Sequence, residues 1–191
     1  MTRAFDGRPV STELLHHLVS LASRAPSAGK TQGWDLVVLK DAETAAFWDV
    51  TLPLERRGRF GWPDLLAAPV IAIAFADPSA YVQRYSEADK VATGLGSGVH
   101  AWPTPYWTID AAMSVNTLLL AAEDAGLGAL FFGVFNGESE LRESLGVPDH
   151  LQLLGAIALG WPLAGPAAAG QGRSASRPRR TPDSIVHVGG W

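Results

Sequence analysis

Four short apolar runs, at residues 36–39, 70–75, 129–135 and 153–159, alternate with stretches of three- and four-residue apolar spacing. That alternation restricts the chain to a sheet layered with helices, an α/β architecture. The runs Leu36-Val37-Val38-Leu39 and Val70-Ile71-Ala72-Ile73-Ala74-Phe75 are continuous, as in strands covered on both faces. Ser11 can cap a helix bearing Leu14, Leu15, Leu18, Val19 and Ala22, which cannot continue through Pro26. Asp41 opens a second helix through Trp48, residues 81–85 add a helical turn or more, and 138–145 form a short helix closed by Gly146. The longest helix spans 109–125 and is apolar nearly all round, which marks it as central or as an oligomer contact. With 191 residues, 47% of them hydrophobic, the chain is read as one domain over 1–191. Its last part, 161–191, is an extended arm that turns from Ala/Gly/Pro-rich to basic and ends near a β-like Ser184-Ile185-Val186-His187-Val188.

Several kinds of chemistry find no support. A net charge of -4 gives no global attraction to nucleic acid or to anionic membranes. The most apolar run, 111–122, is far shorter than the roughly 20 residues of a membrane span. The absence of cysteine removes thiolate and disulfide chemistry, and residues 1–6 carry no apolar signal core, so a cytoplasmic location is expected. The five histidines, at 16, 17, 100, 150 and 187, include no i, i+4 pair, and no metal site is expected. Gly94-Leu95-Gly96-Ser97-Gly98-Val99 begins like a dinucleotide fingerprint but lacks the preceding strand, and Gly170-Gln171-Gly172-Arg173-Ser174-Ala175 sits in the arm with too little chain left for a βαβ unit. Arg177, Arg179 and Arg180 suit a phosphate and suit a solvated tail equally in chemistry.

The loop from Arg24 to Trp34 is the strongest local signal. Pro26 stops the helix, Gly29 admits a positive φ, and Ser27, Lys30, Thr31 and Gln32 offer donors on a turn whose own amides are unpaired. Such a loop is either a cradle for a planar, polar-edged ligand or an ordinary helix-to-strand connection with Trp34 packed into the core. Its pattern, Ala25-Pro26-Ser27-Ala28-Gly29-x-x-Gln32-x-Trp34 before a strand, resembles the signature loop of the nitroreductase-like flavoproteins. Four further segments resemble that family in the same order: Arg3-Ala4-Phe5-Asp6 with Pro9-Val10, Tyr106-Trp107-Thr108-Ile109-Asp110, Gly126 to Gly133 with Leu145-Gly146-Val147-Pro148, and Arg180-Thr181-Pro182-Asp183 with terminal Trp191.

The resemblance implies an α+β nitroreductase-like fold, with a central, mostly antiparallel sheet of four to five strands flanked by helices, in an intertwined homodimer. It implies FMN as cofactor and NAD(P)H as reductant, with hydride passed to a small acceptor of nitroaromatic, quinone or enone type. Cofactor contacts would then come from Arg3, near the flavin pyrimidine edge, from Pro26, Ser27, Ala28, Lys30 and Gln32 across the dimer interface, from Phe132, Gly133 and Val134 beside flavin N5, and from Arg179 and Arg180 at the phosphate. The aromatic Gly/Pro stretch 85–106 is expected to form a substrate lid, with His100, Trp102, Tyr106 and Trp107 as its contacts. No catalytic side chain is required, because the flavin performs the two-electron transfer. Two features depart from the family pattern: the basic run that relatives carry just before the position of Arg3 is absent, and Lys30 stands where many have Asn. They keep a non-turnover flavin-binding protein, or an accessory subunit, as the alternative readings.

Overall fold

The structure is a computed structural model describing residues 1–164 and 176–191; Arg173 and the 170–175 fingerprint lie outside the described residues. Its centre is an antiparallel sheet in the order β1-β2-β4-β3, formed by β1 (Trp34–Lys40), β2 (Val70–Ala76), β3 (Gly128–Phe132) and β4 (Gln152–Gly160). Period-two alternation divides β2 between two cores. Ile71, Ile73 and Phe75 join Phe47 and Trp48 of α2 (Thr44–Thr51) and Leu141 of α6 (Glu138–Leu145) on one face. Val70, Ala72 and Ala74 join Leu15, Leu18 and Ala22 of α1 (Thr12–Ala22) and Val115, Leu118 and Ala122 of α5 (Tyr106–Asp124) on the other. Every residue of β2 is buried, as its unbroken apolar run predicts. The sheet is thus sandwiched between helix layers, and its helical remainder is completed by α3 (Leu54–Arg57) and α4 (Pro78–Tyr85).

Four readings of the sequence need correction. β1 is an edge strand in which Leu36, Val37 and Val38 are only half-buried, so its continuous apolar run does not reflect cover on both faces within one chain. α1 ends at Ala22, before Pro26 is reached, and α5 starts at Tyr106, three residues earlier than the apolar spacing indicates, directly after Pro105. The β-like segment at 184–188 is not a strand: a short 3₁₀ turn covers Pro182–Ser184, and Ile185, Val186 and Val188 are exposed, because no described strand edge of the same chain pairs with them. By contrast, α6 occupies the stretch that its Gly146 stop signal delimits.

Two local devices position the 24–34 loop and the end of the sheet. Ser11 accepts a hydrogen bond from Leu14 N–H and starts α1, which delivers the chain to that loop. At the far end of the sheet, a bulge in β4 places Gly155 at φ 148°, where a Cβ would come within 2.7 Å of Phe132 O. Glycine therefore allows β4 to hug the end of β3 at this point.

Candidate functional site

The N-terminal segment is tied down along the sheet rather than left free. Thr2 N–H donates to Ala129 O at 2.9 Å, Phe5 N–H to Asp64 O at 3.2 Å, and Asp6 N–H to Trp161 O at 3.1 Å. Arg3 is thereby brought beside β3, where it borders an open cleft of about 360 Å³ together with Phe132, Gly133 and Val134. These residues, far apart in sequence, were each expected at a cofactor site. The remaining wall comes from positions that sequence reasoning missed: Phe47 and Trp48 of α2, and Phe60 and Trp62 beyond α3. Trp48 lies parallel to Phe132 at 6.0 Å between centroids, and the Arg3 guanidinium sits 5.3 Å from the Trp62 ring centre. That contact is a cation–π pair. No carboxylate lines the cleft among the described residues, and no acidic partner is recorded there for Arg3. An unneutralised guanidinium in an apolar wall attracts an anion or an electron-rich edge. Phe135, 89% exposed, folds back so that a Cβ on Gly133 would meet its ring at 2.7 Å.

The 24–34 loop stands apart, beside a tight crevice bordered by Ser27, Gln32, Trp34, Tyr81 and Asp110 that is too narrow to hold a water molecule. Gly29, Lys30 and Gln32 all have φ near 60°, a conformation that non-glycine residues adopt only when their surroundings impose it. Here the imposing bonds are visible. Ser27 Oγ accepts from Gln32 N–H at 3.0 Å, Gln32 Nε2 donates to Ser23 O at 2.9 Å, Arg84 Nε donates to Gly29 O at 2.9 Å, and Ala28 N–H donates to Asp110 Oδ2 at 2.7 Å. Arg84 is itself held by Asp89 through two bonds, at 2.7 and 2.8 Å, and this hydrogen bonding lowers the Asp89 pKa to about 2. Tyr81 OH donates to the same Asp110 oxygen at 2.8 Å. Burial first, and then that bond, hold the Tyr81 hydroxyl far above the usual phenol range, so it stays protonated. Pro26, Lys30 and Gln32 are exposed, while Ser27 and Ala28 are half-buried.

The expected substrate contacts separate. His100 and Tyr106 are exposed, but Trp102 is buried, donates Nε1–H to Leu95 O at 3.0 Å, and packs edge-on against Tyr81 and Tyr85. Trp107 is half-buried and donates to Gln152 Oε1 at 2.9 Å. Within one chain, then, Trp102 plugs the 85–106 segment onto α4 rather than offering a free ring for stacking. Arg179 and Arg180 are exposed, and the Arg180 guanidinium bonds to the Ser184 carbonyl in the tail turn. Asp110 was legible as part of a motif but not as a group with a task, and Arg84 carried no sequence signal at all.

A sequence model of the Nitroreductase family matches residues 1–161. An NADH dehydrogenase of Thermus thermophilus is 30% identical over 179 residues, covering 84% of this chain and 81% of that protein. An FMN reductase [NAD(P)H] of Bacillus subtilis is 25% identical over 186 residues, covering 97% of this chain and 68% of that protein. In three dimensions the chain is similar to a nitroreductase family protein of Streptococcus pneumoniae, with a TM-score of 0.71 at 19% identity, over 97% of this chain and 94% of the other. No helix of the described residues is long and apolar enough to cross a membrane. With a family model matching most of its length, the chain belongs to the nitroreductase family.

Proposed function

We propose that this protein is an FMN-dependent oxidoreductase that uses NAD(P)H to reduce a small acceptor of nitroaromatic, quinone or enone type, working as a homodimer in the cytoplasm, where NAD(P)H is supplied. One observation carries the reading: Arg3 meets Phe132, Gly133 and Val134 in an apolar, aromatic-walled cleft with no carboxylate among the described residues to neutralise it. That donor set fits a flat heteroaromatic ring with an electron-rich edge, as in the isoalloxazine of FMN. When bound, FMN supplies two-electron transfer between NAD(P)H and the acceptor. Arg3 would stabilise negative charge on the bound ring, and the backbone of Gly133 and Val134 would help to hold it. Arg179, Arg180 and Lys30 are assigned to the phosphate end, where charge-assisted bonds are strongest. His100, Trp102, Tyr106 and Trp107 are assigned to the substrate side, Trp102 by bracing the segment from beneath. No side chain is assigned as a catalytic acid or base.

The homodimer is supported by what a single chain leaves open. Pro26, Ser27, Ala28 and Gln32 lie on a loop that borders a different pocket from the Arg3 cleft, so their cofactor contacts are assigned to the cleft of a second copy. Among the described residues the outer edge of β1 is unpaired, and beside it Leu15, Val19, Trp34, Leu36 and Val38 line a groove of about 380 Å³. Exposed Ile109 and Leu120 on α5, and Val188 and Trp191 in the arm, supply apolar surface of the kind that interfaces cover.

The test is direct. Purified protein, reconstituted with FMN if necessary, is expected to show flavin absorbance that bleaches anaerobically on adding NADH or NADPH and returns on adding a quinone or nitroaromatic acceptor. A colourless protein that FMN cannot reconstitute overturns the proposal, and one that binds FMN without bleaching supports the non-turnover alternative.

A further inference from the structure

We propose that Asp110, acting with Tyr81, is the positioning residue of the 24–34 loop, fixing the Ala28 peptide in the orientation in which the loop meets the cofactor. The inference rests on the assignment of that loop to FMN contact. Asp110 is only 5% exposed and lies in the first turns of α5, with no cation recorded beside it among the described residues. Burying a carboxylate without a counter-charge is unfavourable unless strong donors converge on it. Two do: Ala28 N–H at 2.7 Å and Tyr81 OH at 2.8 Å, both on Oδ2.

The three groups come from three segments, the loop after α1, α4 and α5. Among the described residues, their meeting point carries the hydrogen bond that ties the loop to the central helix. The other ties act elsewhere. Ser27, Gln32 and Ser23 bond within the loop and its entry, and Arg84 holds the Gly29 carbonyl from α4. Those bonds hold the loop's shape, including its left-handed turn at Gly29, Lys30 and Gln32. The bond to Asp110 sets where that shape sits. By turning Ala28 N–H inward, it leaves Pro26 exposed and Ser27 half-exposed as the outward face. Tyr81 in turn packs edge-on against Trp102 and Trp107, so the carboxylate also links the loop to the aromatic segment assigned to substrate. A hydroxyl that stays protonated is a permanent donor, and the clamp does not loosen with pH through Tyr81.

The experiment is FMN titration of full-length variants, paired with the thermal midpoint of each apoprotein. Asp110→Ala is expected to weaken FMN binding about tenfold or more, since it removes both bonds. Asp110→Asn keeps an acceptor oxygen and is expected to restore affinity to within a few-fold of the unaltered protein. Tyr81→Phe, which removes one hydroxyl and leaves the Ala28 bond, is expected to fall between them and serves if Asp110→Ala does not fold. Leu18→Ala, in the α1 core away from both pockets, provides a protein of lowered stability whose FMN affinity is expected to stay unchanged. Unchanged FMN affinity in Asp110→Ala and Tyr81→Phe overturns the inference, as does equal weakening in Leu18→Ala, which would make the effect one of stability alone. An unaltered protein that takes up no FMN overturns the functional proposal, and this inference with it; FMN bound equally by all variants overturns only the inference.

Discussion

Arg3 carries the electrostatic part of the proposal at the scale of one residue, since it is the cation of a cleft whose described lining contains no acid. A fixed positive charge favours whichever redox state of a bound ligand carries more negative charge. Arg3→Leu is therefore expected to shift the midpoint potential of bound FMN to more negative values, read by dye equilibration; an unchanged potential would remove Arg3 from the flavin's edge. Arg180 makes a different prediction. Among the described residues its guanidinium bonds to the tail turn, so a phosphate role requires it to exchange that partner on binding. Arg180→Ala is expected to weaken FMN affinity by about 1–3 kcal/mol, measured by titration. Both arginines are named from the sequence, because a motif gives residue types in order. Trp48 and Trp62 are not, because nothing in the chain's local pattern says that α2 and the 60–62 turn face the end of β3. Only the packing of one core against the sheet brings them there.

Elements were legible where burial is complete within one chain and obscure where it is not. β2 and β4 lie at the centre of the sheet, their apolar runs match their burial, and their bounds fall within a residue or two of expectation. β1 and the 184–188 segment, also apolar, lie at an edge or in solvent, so the same signal overstated their cover. A run of apolar residues reports that something will cover it, not which chain will. The junction of loop and strand shows a further constraint of packing. Gly33 is buried, and a Cβ there would meet Tyr81 Cε2 at 2.8 Å and Asp77 O at 3.0 Å, so glycine at this position is the counterpart of the Tyr81 ring. Gly33→Ala is expected to destabilise the fold by about 1–3 kcal/mol through overpacking, checked by urea denaturation. The α4 end also sets an acid limit. Asp89 has a folded pKa depressed from 3.8 to about 2, so the stability it lends through Arg84 is present above pH 3.8 and is lost as pH falls through about 2. Asp89→Asn is expected to remove that acid dependence from the protection of the Gly29 region, followed by hydrogen exchange.

For the whole molecule, the proposed homodimer rests on the placement of two candidate half-sites. The cleft around Arg3 and the loop around Ser27 border separate pockets of the same chain. α5 connects the two problems. One side of it, with Val115, Leu118 and Ala122, is buried on the sheet, while Leu120 remains 63% exposed and Ile109 41% exposed. These side chains are the part of α5 that the proposed dimer would cover. Leu120→Glu places a charge there without touching either pocket. It is expected to convert the protein to a monomer by light scattering after size exclusion while leaving the far-UV circular dichroism unchanged. If the site is shared between copies, FMN should be lost in the same variant, in parallel with the dimer as protein concentration is lowered. A monomeric Leu120→Glu protein that retains FMN at full affinity would show that the Arg3 cleft suffices alone, and would reassign the Pro26–Gln32 loop to a role outside the cofactor site.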